Sequence, residues 1–283
     1  MKKGNGLLVG ITIDKFKGIS PAALLMIIRK MGVEFAEITK AVFEDLPAFL
    51  EQMDGLQTGF HLPNRHDAGY DFSCHDRAAD IEKLTRLINQ HHRELNIFYC
   101  LSHPPEFSSA KMSEADAISY LLDNLKKLQP PIVLENIQSW SQQKFEHFFQ
   151  QARNVLGEQL IGQCFDAPHY FLQGEDPVAF LQENNGQIQF IHLSDCRQGY
   201  DAHMPFGPSG EMPIDEILLT LKAQNFQGVI NLELLPRKIG DIRLLVNSYL
   251  KVVRAFDRQK YWKARLRLIV YTPMLLRFMK QVL

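Results

Sequence analysis

At residues 162–169 the sequence reads Gly-Gln-Cys-Phe-Asp-Ala-Pro-His, so small and apolar residues lead into Asp166 and a histidine follows at position 169. This pattern predicts a buried strand that ends in a polar pair. A carboxylate and an imidazole at one strand end are close enough to bind the same cation, so Asp166 and His169 form half of a candidate metal site. Seven further short apolar runs occur, and most of them also end in His, Asp or Glu.

These apolar runs alternate with stretches in which apolar residues recur at helical spacing. Strands are predicted at residues 7–13, 33–38, 58–62, 96–101, 131–134, 161–165, 188–193 and 229–234. Helices are predicted at residues 22–31, 45–53, 76–91, 113–128, 142–156, 176–182, 214–224 and 241–257. The connections are short, except after the third and seventh strands.

Such an alternation predicts parallel strands joined by crossover helices. Eight units in 283 residues predict an α/β fold, the closed parallel (β/α)8 or TIM barrel. The main alternative, a doubly wound open sheet, expects a glycine-rich phosphate loop directly after an early strand. Here Gly4 and Gly6 precede the first predicted strand instead, which favours the barrel.

Residues 260–283 follow the eighth predicted unit and are basic, with apolar residues between the charges. They predict an amphipathic helical extension that is broken near Pro273 and packs on the barrel or on a second subunit, as in a homodimer. A membrane-surface anchor is the less favoured alternative. The chain is therefore expected to comprise a metal-dependent catalytic barrel, residues 1–259, and a basic C-terminal helical extension, residues 260–283.

Composition narrows the class of protein further. The net charge of −1 gives no reason to expect nucleic acid or an anionic membrane as a partner. The four cysteines lie far apart without a C-x-x-C pair, which argues against a cysteine-based zinc or redox site. No apolar run approaches the roughly 18 residues of a membrane span, and the basic N-terminus is too short in its apolar part for a signal peptide. These features predict a cytoplasmic protein.

The catalytic face of a (β/α)8 barrel lies at the carboxyl ends of its strands. Nine candidate ligands are predicted there: His61, His103, Glu135, Asp166, His169, His192, Asp201, His203 and Glu233. One histidine at a strand end is usually a structural residue, so the prediction depends on all nine together. This mixture of nitrogen and oxygen ligands suits Zn²⁺ best, with Mn²⁺, Fe²⁺ and Co²⁺ as alternatives. Glu37 and Asp195 also end strands, and supporting or structural roles are predicted for them.

The strand-end motifs resemble those of a known group of proteins. The motifs are Leu134-Glu135-Asn136, Phe165-Asp166-x-x-His169, Ile191-His192-Leu193-x-Asp195, Asp201-x-His203-x-Pro205-x-Gly207-x-x-Gly210 and Leu232-Glu233. They resemble the xylose isomerase-like (β/α)8 superfamily, which includes sugar isomerases and epimerases and the endonuclease IV (AP endonuclease family 2) group. The resemblance covers roughly residues 5 to 255.

This resemblance implies roles for the nine residues. Glu135, Asp166, His192 and Glu233 match the metal-binding quartet that the superfamily shares. The other five match the remaining ligands of a trinuclear site of the endonuclease IV type: His61, His103, His169, Asp201 and His203. By the same resemblance Glu135 bridges two metals, so two or three zinc ions are expected.

Two segments depart from the DNA repair enzymes. Leu-Pro-Asn-Arg-His follows His61, and Ile-Gln-Ser-Trp follows Asn136, without the small glycine-rich segment of those enzymes. No DNA-intercalating loop of the repair type is evident either. The resemblance therefore implies a retained metal centre with a different substrate.

Three functions are weighed. The first is a metal-dependent hydrolase of a phosphoester in a small phosphorylated metabolite or nucleotide-like cofactor, with Arg65, Lys40 and Arg197 as candidate phosphate contacts. An abasic-site DNA endonuclease is a narrower version of it. The second is a single-metal isomerase or epimerase of a sugar or sugar phosphate, with Glu135 and Glu233 as acid and base. The third, a binding barrel without catalysis, is disfavoured because unpaired charges at the rim would be costly.

Overall fold

The computed structural model describes residues 6–16, 19–106, 112–197, 199–207, 209–235 and 241–282. Ten strands occur in this part of the chain, at Leu8–Ile13 (β1), Phe35–Ile38 (β2), Gln57–His61 (β3), Ile97–Ser102 (β4), Ile132–Glu135 (β5), Leu160–Asp166 (β6), Phe190–Leu193 (β7), Asp195–Arg197 (β8), Tyr200–Met204 (β9) and Val229–Leu232 (β10). Eight of them form a closed parallel barrel in the order β1-β10-β7-β6-β5-β4-β3-β2. The predicted (β/α)8 barrel is confirmed.

Helices cover the outside of the barrel. They lie at Pro21–Met31 (α1), Leu46–Leu50 (α2), Arg65–Ala68 (α3), Ala78–His91 (α4), Glu114–Leu125 (α5), Gln142–Leu156 (α6), Ala167–Leu172 (α7), Pro177–Glu183 (α8), Ile214–Ala223 (α9), Asp241–Phe256 (α10) and Arg258–Val282 (α11). Helix α1 shows how the sequence sets a helix start. Its N-cap residue Ser20 accepts a hydrogen bond from the backbone N–H of Ala23 and precedes a proline at the first helical position.

Large side chains fill the barrel interior below the rim. Phe35, Tyr99 and Phe190 pack together there with Val133 and other apolar residues. Gly59 makes room for this packing, because a Cβ at that position would lie 2.5 Å from the Tyr99 ring. The tyrosine hydroxyl is thereby directed towards the rim.

The loop after β7 contains a structure that the sequence did not predict. Strands β8 and β9 form a two-stranded antiparallel hairpin within the segment expected to be a glycine- and proline-rich loop. The Asp195 carboxylate accepts hydrogen bonds from the backbone N–H groups of Cys196, Gly207 and Met212. A Cβ at Gly210 would lie within 1.8 Å of that carboxylate. Asp195 therefore has the predicted structural role, and glycine is required beside it.

Helix α11 follows the barrel and packs against α1 and α10. The predicted break near Pro273 is wrong, because the backbone remains helical from Arg258 to Val282 and the proline costs one hydrogen bond without ending the helix. Ala264 is buried in this contact, and the Lys260 ammonium lies 2.6 Å from the Glu34 carboxylate. Within the described chain, no helix has both the length and the apolar character needed to cross a membrane.

Candidate metal centre

Four barrel strands bring four potential ligands together at the carboxyl rim. Glu135 and Asp166 are the last residues of β5 and β6, His192 lies in β7, and Glu233 follows β10 directly. One ligand atom from each lies within 4.8 Å of the others. The His192 Nδ1 atom is 2.9 Å from Glu135 Oε1 and 3.0 Å from Glu233 Oε2. Since the strands are parallel neighbours, the barrel itself assembles this quartet.

Two histidines approach the other oxygen of Glu135. The Nε2 atom of His61, at the end of β3, is 3.6 Å from Glu135 Oε2, and that of His103, just after β4, is 3.1 Å from it. Their Nδ1 atoms contact other groups, the Leu62 carbonyl at 2.7 Å and the Glu106 carboxylate at 2.6 Å. Glu135 thus presents one oxygen to the quartet and one to the two histidines. We call the quartet and these two histidines the inner group.

The remaining three predicted ligands lie on α7 and the β8–β9 hairpin. His169 Nε2 is 3.0 Å from Asp201 Oδ2, and His203 Nε2 is 3.5 Å from the same oxygen. In contrast to the inner group, these three do not bring one ligand atom each within 4.8 Å of one another, as judged on the described residues. His203 has a positive φ of 42°, which places it in the left-handed region. We call these residues the outer trio.

Several buried atoms of the inner group lack a hydrogen-bond partner. They are His61 Nε2, Glu135 Oε1 and His192 Nδ1. Glu135 Oε1 and His192 Nδ1 lie 2.9 Å apart, but the angles between them do not suit a hydrogen bond. A buried polar atom without a partner costs free energy, and all three are atom types that bind divalent cations. The residues present therefore fit a metal ion coordinated by the quartet, with a second position available beside His61 and His103.

Burial by itself would lower the pKa values of the site histidines, yet the nearby carboxylates outweigh it. Glu135 and Glu233 raise the pKa of His61 to about 9. Asp166 and Asp201 raise the pKa of His169 to about 10, and Glu135 and Glu106 raise that of His103 well above its usual value. In the metal-free protein these imidazoles hold protons, so a cation must displace protons to bind.

The three buried carboxylates of the quartet differ in pKa. Burial would raise the pKa of Glu135 and Glu233, but the surrounding histidines hold both below the usual range. For Asp166 burial prevails over the influence of His169 and raises the pKa to about 7. Both glutamates are therefore ionised at neutral pH, as metal ligands and bases need to be.

A second layer of side chains orients the ligands. Glu37 is fully buried in the barrel, where its carboxylate lies 3.1 Å from His192 Nε2 and accepts a hydrogen bond from the Tyr99 hydroxyl at 2.9 Å. Because Glu37 contacts Nε2, the Nδ1 atom of His192 faces the other three residues of the quartet. The supporting role predicted for Glu37 agrees with this position.

Sequence reasoning missed the supports of two other ligands. Glu106 orients His103, and Asn136 exchanges two hydrogen bonds with the Asp166 backbone while its carbonyl faces His169 Nδ1 at 2.9 Å. Glu106 could have been found from its position three residues after His103. Asn136 follows Glu135 in the recognised motif, which gave no indication of its contacts.

A cleft of about 450 Å³ opens above these residues. Its described lining includes His103, Glu233 and the outer trio, together with the polar residues Asn64, His66, Gln138 and Ser139. Those four lie in the two segments where the sequence departs from the repair enzymes. Sequence reasoning quoted both segments without assigning their residues to the site.

The three predicted phosphate contacts are not among the described residues that line this cleft. Lys40 lines a neighbouring cavity together with His61 and Glu233, and its ammonium lies over the Tyr70 ring at 4.8 Å. Arg197 donates a hydrogen bond to the Ser209 carbonyl, and Arg65 is an exposed residue at the start of α3. The described lining of the main cleft therefore includes none of the three.

Comparison with solved structures finds the same fold in proteins of low sequence identity. A D-tagatose 3-epimerase-like protein has 19% identity and a TM-score of 0.61, with 87% of this chain and 98% of that chain covered. A D-allulose 3-epimerase from Methylomonas sp. has 16% identity and a TM-score of 0.64, with both chains covered completely, at 100%. An AP endonuclease, family 2, from Brucella melitensis has 10% identity and a TM-score of 0.62, with 83% and 95% covered.

The comparison by sequence points to one family. No curated protein matches, but the family described as xylose isomerase-like TIM barrel matches residues 29–255. That span contains all eight predicted helices in whole or in part, and every residue of the inner group and the outer trio. The protein therefore belongs to the xylose isomerase-like TIM-barrel family.

Proposed function

We propose that this protein is a divalent-metal-dependent isomerase or epimerase of a small sugar or sugar-like hydroxycarbonyl compound. The observation that carries the proposal is the chemistry of the cleft. Its described lining offers imidazole, carboxylate, amide and hydroxyl groups, and no Lys or Arg. Such groups recognise a neutral, hydroxyl-rich substrate, whereas phosphate is usually bound by Arg or Lys.

The structural comparisons support the same choice. Two of the three structures described above carry sugar 3-epimerase names, one of them as an epimerase-like protein. Family membership implies an enzyme, because the superfamily comprises epimerases, isomerases and endonucleases. The phosphoester hydrolase favoured by sequence alone has less support from these structures than its isomerase alternative.

The reaction needs a base beside a carbonyl group. A cation held by the quartet would polarise the substrate carbonyl and so acidify the neighbouring C–H bond. Glu233 lines the cleft and is ionised, so it accepts that proton. Return of this proton to the former carbonyl carbon, together with transfer of the neighbouring hydroxyl proton to the former carbonyl oxygen, gives isomerisation.

Epimerisation needs a proton donor on the opposite face of the same carbon. Glu135 Oε1 and Glu233 Oε2 lie 2.9 Å and 3.0 Å from His192 Nδ1, and we assign the donor role to Glu135. Because Glu135 is itself ionised, it would first take a proton from the His103 imidazole, whose Nε2 lies 3.1 Å from Glu135 Oε2, and then pass it to the carbon. Glu233 then starts ionised and ends protonated, while His103 starts protonated and ends neutral, and Glu135 is ionised at both ends of the step. His103 and His169, which also line the cleft, would contact substrate hydroxyl groups in this assignment.

The second candidate is a multinuclear phosphoester hydrolase, and one observation favours it. Glu135 directs its two oxygens to separate sets of ligands, with His61 and His103 on one side and His192 on the other. Such a carboxylate could bridge two cations, which together could activate water and stabilise a leaving oxygen. An abasic-site endonuclease would be a special case of this candidate.

Solvent exchange tests the proposed function directly. Purified protein loaded with Mn²⁺, Co²⁺ or Zn²⁺ is incubated in D₂O with a panel of ketoses and aldoses, and NMR follows deuterium incorporation beside the carbonyl. We expect exchange with at least one sugar, together with formation of its epimer or isomer. Glu233→Gln should abolish this exchange, since the amide cannot accept the proton.

The same preparations are assayed with a generic phosphodiester such as bis(p-nitrophenyl) phosphate. Hydrolysis of the diester without exchange into any sugar, combined with more than one metal per chain, would replace the proposed function by the hydrolase. Glu94→Gln serves as the matched control and should leave both assays unchanged, because Glu94 is an exposed glutamate just after α4 whose carboxylate lies 2.7 Å from His91 Nδ1, outside the site.

A further inference from the structure

Helix α11 has two apolar sides, and only one of them is covered. Ala264 is buried, and Tyr261 and Leu268 are partly buried against the hydrophobic core. The Arg254 guanidinium lies over the Tyr261 ring, and the Lys30 ammonium lies over the Tyr271 ring. These contacts fix which side of the helix faces α1 and α10.

The opposite side exposes four large apolar residues. Trp262, Leu266, Ile269 and Val270 are 61%, 62%, 68% and 69% exposed. At 100° per residue they form one stripe that points away from Ala264 and Leu268. A surface helix normally carries polar residues there, so a contiguous apolar stripe of this size indicates a surface that binds something.

Positive charges flank this stripe on both edges. Arg258 and Arg265 lie on one edge by helical position, and Lys263 lies on the other. The Arg267 guanidinium packs instead against Gly32 at the end of α1 and is not counted among these charges. The sequence from 258 to 283 contains no Asp or Glu. The nearby cation Lys260 is already paired with Glu34 on the barrel side. The outer face of α11 is thus amphipathic, with an apolar stripe and only positive charges beside it on the helix.

We propose that the outer face of α11 binds the surface of an anionic phospholipid bilayer. The apolar stripe would enter the boundary between headgroups and acyl chains, and the flanking cations would contact phosphate groups. A second copy of this chain fits less well. In a symmetric dimer the two stripes would face each other and bring the cations of both helices together without a compensating carboxylate.

The position of α11 is compatible with catalysis at such a surface. The helix contacts Lys30 and Glu34, which lie at the end of α1 and just before β2. This is the amino-terminal end of the barrel strands, whereas the cleft lies at their carboxyl ends. A protein bound through α11 would therefore keep its cleft open to the aqueous phase.

Vesicle binding by the full-length protein tests the proposal. Sucrose-loaded vesicles of phosphatidylcholine alone, or of phosphatidylcholine with phosphatidylglycerol, are sedimented with the protein. We expect binding to the anionic vesicles, little binding to the neutral ones, and release at high salt because screening weakens the cationic contacts. The emission of Trp262 should shift to shorter wavelength on binding, whereas Trp140 is buried and should contribute no shift.

Two substitutions distinguish binding through this stripe from nonspecific adsorption of the protein to vesicles. Leu266→Asp should weaken partitioning into anionic vesicles by at least about tenfold, because it removes apolar burial and adds a repelled charge. Arg265→Gln should weaken it by about fivefold. Leu219→Asp is the matched control, since Leu219 is an equally exposed leucine, at 66%, on α9, and it should bind as the wild type does. Circular dichroism verifies that each variant is folded.

Three outcomes would overturn the proposal. The first is equal binding to neutral and anionic vesicles, and the second is unchanged binding of Leu266→Asp. The third is a wild-type dimer in sedimentation equilibrium that becomes a monomer in Leu266→Asp and never binds vesicles. This last result would assign the stripe to a second copy of the chain.

Discussion

The inner group and the outer trio contain the same residue types, but different parts of the fold hold them. The inner ligands lie at the ends of barrel strands, and contacts below the rim fix several of their rings. Asp201 and His203 of the outer trio lie instead on the β8–β9 hairpin, which Asp195 holds in place. The barrel strands fix the positions of the inner ligands directly, whereas the positions of Asp201 and His203 depend on a hairpin outside the barrel. The inner group should therefore determine metal affinity, and the outer trio should affect substrate binding.

The largest contrast is expected between Glu135→Gln and Asp201→Asn. Glu135 contacts both parts of the inner group, so its replacement should lower metal affinity and reduce turnover by about 10²–10⁴-fold. Asp201→Asn should retain the quartet's metal and mainly change KM. Metal content by elemental analysis and steady-state kinetics measure both. Equal loss of metal in the two variants would contradict the distinction between the groups.

His103→Ala sharpens the comparison within the inner group. Under the proposed function the wild type holds one metal per chain, and this variant keeps it while KM rises, because His103 lines the cleft. His91→Ala is the matched control, since His91 forms the same i,i+3 pair with a glutamate outside the site. A wild-type content of two or three that drops by one in His103→Ala would support the multinuclear hydrolase instead.

The dependence on pH should have opposite signs with and without metal. Histidines with raised pKa values stabilise the metal-free protein below about pH 6.5, and this stabilisation is lost as pH rises through about 9 for His61 and about 10 for His169. Binding of an ion by the quartet requires a neutral His192, whose pKa is raised well above its usual value although burial by itself would lower it, so the stabilising effect of the metal should grow as pH rises. Thermal unfolding with chelator and with added Zn²⁺ measures both. Parallel pH profiles would show that His192 does not bind the ion.

The smallest expected effect concerns the hairpin alone. Gly210→Ala would place a methyl group against the Asp195 carboxylate and should destabilise the protein by roughly 1–3 kcal/mol. Gly207→Ala is the matched control, because the nearest neighbour of its Cβ lies 3.9 Å away, at the Pro205 carbonyl. Urea unfolding gives the stabilities, and metal affinity should stay unchanged in both variants. A change in metal affinity for Gly210→Ala would link the hairpin to the inner group.

The sequence predicted the barrel because each strand has a local signal, an apolar run followed by a polar residue. It also indicated the candidate ligands, since strand ends of a parallel barrel meet at one rim. It did not predict contacts that depend on three-dimensional packing, such as Tyr99 with Glu37 or Asn136 with Asp166. The β8–β9 hairpin was missed because hydrogen bonds from the backbone to the Asp195 carboxylate hold it. The periodicity of apolar residues in a sequence does not reveal such hydrogen bonds.

Contacts within the protein limit how many atoms Asp166, His192 and Glu135 can offer to a cation. Asp166 Oδ1 already accepts a hydrogen bond from the His169 backbone at 2.6 Å, so only its other oxygen is available to a cation. His192 offers Nδ1 alone, and one oxygen of Glu135 faces the two histidines. With Glu233 also binding through one oxygen, Oε2, which faces His192, the quartet would offer four donor atoms. Four donor atoms would saturate a tetrahedral zinc ion but leave two positions on a six-coordinate ion. Substrate chelation at this quartet would therefore favour Mn²⁺ or Co²⁺ over Zn²⁺.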